Sequence, residues 1–492
     1  MIKRTRENGG KVFLFDDLNP EDGAMLQALY ARSAAGAEPI LEKIYAARRE
    51  AFKEALCNFT SHDGAGDESD YRYTDAIDSF MAISGHNDAS ALARRIHNDY
   101  SVKYGHKSIA DCGSTTLCIE GCSMLAAKAI EDSPLYSGQE TSTRAVDMTK
   151  QSMIDPIGMP ESKAILDRWI AFYAQAQEPT AAEVRRRYPR QESEDQKAYD
   201  NAVKYRVFDI LRAFLPAGST TNVSLHMNLR QMGDKMPWLL DHPLTEVQDI
   251  GKTCQAMLCE RYPSSGTFGG GAAVSGVGVD GKEDERTIWN RAVVYEYTYP
   301  LPVKPGFRHT LGMLDGSLAD FIEATDTRPR GCVLPHFMSD LGQLQFGFDI
   351  DFGSFRDVQR HRNGVCRMPL LTMSHGFETW YLDQLDAATR NKAVELLRVQ
   401  EEAIASLKCG PTDKQYLVAM GFKVPVSITM GLPAFLYLAE LRSTKSVHPT
   451  LRAKIHWMVD EFQKVFPEIK MHIDRDPDGW DVRRGTQTIE KK

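Results

Sequence analysis

The feature that most restricts the fold of this chain is an order of elements written twice. In "STTLCIEGCSMLAAKAIEDS" (114–133) Thr115, Leu117 and Ile119 alternate as along a strand, and the spacing then turns helical through Leu125, Ala129 and Ile130. In "LQFGFDIDFGSFRDVQRHRN" (344–363) Leu344, Phe346, Phe348, Ile350 and Phe352 alternate with period two before a polar, helix-like stretch. Each half goes on to a long amphipathic helix, 195–214 or 386–408, then to a proline break, "RAFLPAG" or "GFKVPVS", and closes with further helix, "NLRQMGDKMPWLL" or "PAFLYLAELRST". Such an order, repeated, implies a tandem duplication whose copies have diverged. We expect a helical N-terminal extension over 1–60, a first copy over 61–263, a connector over 264–283 and a second copy over 284–492. The extension rests on Leu26, Leu29, Tyr30, Ile40, Ile44 and Phe52, which recur at helical spacing. The connector, "SSGTFGGGAAVSGVGVDGKE", has neither the GxxxxGK[ST] spacing nor the strand-to-helix setting of a phosphate loop.

A length of 492 residues suits two or three domains. The formal charge of −8 argues against a general binder of nucleic acid or anionic membrane, which needs a basic face. "MIKRTRENGGKVFLFDDL" has basic residues but no apolar stretch after them, so no secretory signal is expected. No apolar run is long enough to span a bilayer. The nine cysteines form no CxxC pair, and Cys112, Cys118 and Cys122 lack the further ligands of a zinc site, so no metal is expected. Buried free thiols suit a reducing cytoplasm.

Two clusters carry chemistry. Arg360, His361 and Arg362 concentrate many donors, which suit a pyrophosphate or an electron-rich heterocycle edge; a basic helix end complementing its dipole is the plainer alternative. In "EDSPLYSGQETSTR" (131–144) Ser137, Ser142 and Arg144 could bind a phosphate monoester, with Glu140 among them as an acceptor, although Ser/Thr-rich turns are also common without a ligand. His106 and Ser108 stand in "YGHKSIAD", where a lone histidine is more often structural. No Ser-His-Asp or nucleophile-elbow arrangement is present.

Together these residues resemble the flavin-dependent thymidylate synthases, whose signature is RHRxxSxxxxSxR. Laid on the first half, the signature puts its serines on Ser137 and Ser142, its acidic residue on Glu140 and its last arginine on Arg144, while its Arg-His-Arg falls on Asp132, Ser133 and Pro134. In the second half Arg360, His361 and Arg362 are intact, but Val365, Leu370 and Thr372 take the other places. "YGHKSIAD" resembles the family's flavin-side histidine element, "LRAFLPAG" the element whose nucleotide arginine is here Arg212, and "NLR" its Asn-x-Arg, here Asn228 and Arg230. The next nucleotide arginine is Leu239 in the first half and Arg442 in the second, where Asn-x-Arg has become Gly431 and Pro433. The losses are complementary.

The resemblance implies an α/β fold, two tandem copies of a sheet flanked by helices, pairing as a homodimer into a pseudotetramer with composite sites. It implies reductive methylation of dUMP to dTMP, a methyltransferase reaction using methylenetetrahydrofolate, NADPH and FAD. FAD would lie against His106, Asn228, Arg230, Arg360, His361 and Arg362. The nucleotide would lie against Ser137, Glu140, Ser142, Arg144, Arg212 and Arg442, with Arg144 and Arg442 as the catalytic charges. The classical thymidylate synthases use a cysteine next to a proline, and no Pro-Cys pair occurs here. A flavoenzyme acting on another pyrimidine nucleotide and a non-catalytic flavin- or nucleotide-binding scaffold are the alternatives.

Overall fold

The computed structural model describes residues 2–6, 9–15, 113–133, 135–262, 285–298, 305–310, 319–329, 331–361 and 363–476, with Asp111 and a few positions between 26 and 42. The Gly-rich connector lies outside the described residues, as does most of the helical stretch read at 22–57.

The first half runs β1 (Ile2–Thr5), β2 (Lys11–Phe15), β3 (Ser114–Ser123), α1 (Met124–Glu131), β4 (Ser137–Glu140), α2 (Gln196–Leu211), β5 (Thr220–Asn228), α3 (Leu229–Leu240) and α4 (Thr245–Arg261). After α5 (Glu285–Thr298) the second half runs β6 (Gly306–His309), β7 (Gln343–Asp351), α6 (Phe352–Gln359), β8 (Gly364–Arg367), α7 (Ala387–Ser406), β9 (Lys423–Gly431), α8 (Leu432–Arg442) and α9 (Pro449–Val465). The strand orders are β1-β2-β3-β5-β4 and β6-β7-β9-β8, with every pairing antiparallel. Apart from β1, the second sheet repeats the first strand for strand. The fold is mixed α/β: two antiparallel sheets flanked by helices.

Local chemistry places the strand-to-helix corners. Ser123 caps α1 by accepting from the Ala126 N–H, and Asp351 caps α6 by accepting from the Ser354 N–H. On β7 Leu344, Phe346, Phe348 and Ile350 are buried while Gln345 and Asp349 between them are partly exposed, as the alternation predicts.

A pseudo-twofold joins the copies. The Ala217 N–H donates to the Val418 carbonyl at 2.8 Å, and the equivalent Met420 N–H donates to the Leu215 carbonyl at 2.9 Å. Gly218 N–H to Tyr416 carbonyl and Gly421 N–H to Ala213 carbonyl, both 2.8 Å, form the next matched pair. One continuous apolar core runs through both halves, and the buried Trp169 indole donates across to the Leu417 carbonyl.

Three expectations need correction. Residues 2–5 and 11–15 are not part of a helical extension: they are strands, and β2 pairs with β3 because Val12, Phe13, Leu14 and Phe15 have apolar surface to bury on both faces of the sheet. The second proline break is not a break: Pro425 lies inside β9 opposite Asp349, at a position where no second strand needs its missing N–H, since β8 reaches only Ser427 to Met430. The counterpart of "RAFLPAG" is instead 415–421. Finally β5 and β9, the strands between β3 and β4 and between β7 and β8, are central to the sheets although the sequence reading assigned neither.

Candidate active site

Across the pseudo-twofold, the loop after β4 and the C-terminal end of α2 face α6. Between them lies a cavity of about 550 Å³. Gln139 to Ala145, Tyr205 and Arg212 line one side, and Gly353, Arg356, Asp357 and Arg360 line the other. Four guanidiniums against the carboxylates of Glu140 and Asp357 leave a net charge of +2 on the walls. Asp209 and Glu131 stand behind Arg144 and Arg360 and offset that excess, so an anion would compete with them for the guanidiniums.

The arginines are held from within. Arg144 makes a two-pronged pair with buried Asp209, 2.5 Å from Nε to Oδ1 and 2.9 Å from Nη2 to Oδ2. Arg212 donates to Ser354 Oγ at 3.1 Å and lies 3.8 Å from Asp357. Arg356 pairs with Glu140, and Arg360 reaches both Glu131 at 3.3 Å and Glu140 at 3.5 Å. Burial works against ionisation of Asp357, yet Arg212, Arg442, Arg144 and Arg360 together hold its carboxyl well below the usual carboxylate range. The Nε atoms of Arg212, Arg356 and Arg360 are buried with no hydrogen-bond partner among the described residues. Being buried, these donors do not reach a ligand in the cavity without a shift of the side chains. A Cβ at Gly353 would meet Arg212 Nε at 3.4 Å and Met420 Cε at 3.2 Å, so glycine lets Arg212 lie against α6.

Of the nucleotide-side residues, Glu140, Ser142, Arg144 and Arg212 line this cavity, together with Arg360 from the flavin-side set. Arg442 and His361 line an adjoining cavity of about 250 Å³ with Arg360, Met430 and Tyr437. Arg442 Nε donates to His361 Nε2 at 2.7 Å and its Nη2 to the Asp357 carbonyl at 2.8 Å, so it approaches the larger cavity from behind α6. Ser137 starts β4, is exposed, and is outside both cavity walls. Asn228 and Arg230 do not join the others: Asn228 caps α3 through the Gln231 N–H at 2.8 Å, and Arg230 pairs with Asp111 at 2.8 Å. His106 and Arg362 lie outside the described residues.

The sequence reading missed Arg356, Asp357 and Glu131. A helical count back from Arg360 finds the first two, because positions three and four apart share a helix face. Glu131 had no such signal. Its link to Arg360 spans 229 positions.

Residues 69–264 match the family described as thymidylate synthase complementing protein. Over that segment the chain is similar to the thymidylate synthase complementing proteins. The match includes the Gln139–Ala145 loop and Arg212 but ends before α6, so one wall of the cavity lies outside it. A UPF0159 protein of Chlamydia pneumoniae is 24% identical, over 93% of this chain and 90% of its own length. A UPF0159 protein of Chlamydia muridarum is 25% identical over 83% of this chain and 84% of its own, and one of Thermoplasma acidophilum is 23% identical over 81% and 92%. These matches extend across both halves. Among the described residues no helix is long and apolar enough to cross a membrane, and no cluster of His, Cys, Asp and Glu is suited to a metal ion.

Proposed function

We propose that the chain is a flavin-dependent thymidylate synthase, converting dUMP to dTMP with methylenetetrahydrofolate and NADPH, and that the cavity between the copies binds the nucleotide. The observation that carries this reading is the convergence of Arg144 and Arg212 from one copy with Arg356 and Arg360 from the other on one cavity. A phosphate monoester is dianionic or nearly so at neutral pH and brings acceptors for several guanidiniums at once.

The residues present also fit a flavin. Arg360, His361 and Arg442 offer donors beside the Tyr437 ring and the Met430 side chain. FAD, when bound, would supply the hydride that reduces the transferred one-carbon unit to a methyl group. The chain's own residues orient and polarise. Arg144, clamped by Asp209, and Ser142 would hold the phosphate, while Arg212, fixed by Ser354, would set the height of the nucleotide. Arg360 would place positive charge against a uracil carbonyl as negative charge builds there. No cysteine lines the cavity among the described residues, which accords with a route that needs no enzyme nucleophile. Two chains would pair into a pseudotetramer.

A second reading, action on another pyrimidine nucleotide, is favoured by Asp357, whose carboxylate adds an acceptor to the cavity wall. The visible spectrum of the purified protein, with and without dUMP, followed by an assay for dTMP, separates the readings. Bound flavin with dTMP formation supports the proposal. Bound flavin without turnover of dUMP points to the second reading, and a colourless protein that binds nucleotide points to a scaffold.

A further inference from the structure

We infer that Glu131, contributed by the first copy, is a positioning residue for Arg360 of the second and couples anion affinity in the cavity to its own protonation. The inference rests on the reading of the cavity as a phosphate site. Glu131 closes α1 and is almost wholly buried. Its Oε1 accepts from Arg360 Nη2 at 3.3 Å and lies 3.2 Å from the Tyr136 hydroxyl. Its Oε2 is buried with no hydrogen-bond partner among the described residues. Arg360 is shared, since Glu140 holds the same Nη2 at 3.5 Å and is itself paired with Arg356. Two buried carboxylates thus contend for one guanidinium that also lines the cavity.

The groups facing Glu131 are Arg360 and Arg356 on α6, Glu140 on β4 and Tyr136 between α1 and β4. On its own helix Lys128 is the other charged residue, and its ammonium lies over the Tyr297 ring. Burial pushes the Glu131 carboxyl up to about 7, with Glu140 adding to the rise and Arg360 and Arg356 opposing it. The sign follows directly. Below that value the neutral acid leaves Arg360 less engaged and the site more positive, so an anion binds more tightly. Above it the ionised carboxylate draws Arg360 back and binding weakens. By linkage, anion binding near neutrality takes up protons.

Glu131→Gln separates this role from a structural one, because Gln359 stands at the equivalent place in the second copy and is accommodated there, donating to the Lys128 carbonyl at 2.7 Å. Inorganic sulfate, a dianion throughout the range, serves as the first probe and dUMP as the second. In the parent the sulfate dissociation constant should rise about tenfold between roughly pH 6 and pH 8.5, and in Glu131→Gln it should change less than about twofold. The dUMP phosphate titrates alike in both assays and cancels in the difference. Equal pH slopes in parent and variant overturn the inference. Sulfate behaving as stated while dUMP fails to bind upholds the role of Glu131 and removes the nucleotide reading. A carboxyl carbon-13 titration of Glu131 in the parent needs no variant: a midpoint near neutrality supports the inference, and one below about pH 5 overturns it.

Discussion

The pseudo-twofold gives the cavity a counterpart, and the two have opposite characters. Where one copy presents Glu140, Thr141 and Ser142 with Arg212 behind them, the other presents Met368, Pro369 and Leu370 with Gln415. Where α6 offers Gly353, Arg356 and Asp357, α1 offers Leu125, Lys128 and Ala129. The counterpart space is smaller and divided, about 20 Å³ beside Leu125, His242 and Leu370 and about 120 Å³ beside Asp132, Gln359 and Arg367, with Lys128, Tyr297 and Met368 on both walls. His242, Pro243 and Leu244, with Tyr297 of α5, fill the rest. Lys128 lies over the Tyr297 ring at 5.5 Å, and burial, with Lys128 and Lys235 nearby, holds His242 well below its usual value and therefore neutral. The same backbone pattern therefore makes one wide cleft with four arginines on its walls and, on the other side, a smaller divided space whose inner part is a mostly apolar seam. Symmetry of fold does not carry symmetry of function. Among the described residues one cleft of this kind is present.

The largest effect should come from the cleft's shared charges. Arg356→Ala with Arg360→Ala leaves Glu140 and Glu131 buried without counter-charge, which should lower stability by about 3–5 kcal/mol and abolish nucleotide binding. Thermal unfolding and dUMP calorimetry check both, and a double variant of parental stability would show that these pairs do not hold the copies together.

Next in size, Arg144→Ala should weaken dUMP binding by about 1.5–3 kcal/mol, the usual worth of a charged hydrogen bond. Arg442→Ala should weaken it less, because Arg442 acts through Asp357 and His361, and the two changes should be non-additive. Equal and independent losses in a double-mutant cycle would mean that Arg442 touches the nucleotide itself.

A change in the seam should cost stability and leave binding alone. Leu370→Ser and Met368→Glu place polar groups in packed surroundings, at about 1–3 kcal/mol for each unsatisfied group. The stoichiometry of dUMP should remain one per chain in these variants as in the parent. Two sites per chain in the parent would end the contrast between cleft and seam.

The smallest effect belongs to Val365, which takes a signature serine's place in the second copy. It is 59% exposed on β8, and Val365→Ala should alter stability and dUMP affinity by no more than about 0.5 kcal/mol.

Much of this arrangement was legible in the residues before any fold. The alternation of Leu344, Phe346, Phe348 and Ile350 has only one reading as a half-buried strand, and the turn to helical spacing at residue 352 places α6. The complementary survival of Ser142 and Arg144 in one copy and of Arg360 in the other picked out residues that the fold brings to the walls of one cavity. The central strands β5 and β9 were less visible. "TTNVSLHMN" alternates weakly, and Pro425 disguised a strand as a turn. Asn228 and Arg230 lie away from that cavity, where Asn228 caps a helix and Arg230 pairs with Asp111.

What the sequence determined by itself was periodic and local: two copies, their strand-to-helix corners, and which half kept which charges. Which charges meet was decided by the tertiary structure. Glu131 and Arg360 are 229 positions apart, and Arg356 finds Glu140 across 216. Whether a cavity stays open is also beyond local pattern, because His242 and Tyr297 seal the seam from segments far from the loop they cover. Burial and pairing energies depend on three-dimensional neighbours, and the pseudo-twofold supplied those neighbours only when the two copies closed on each other.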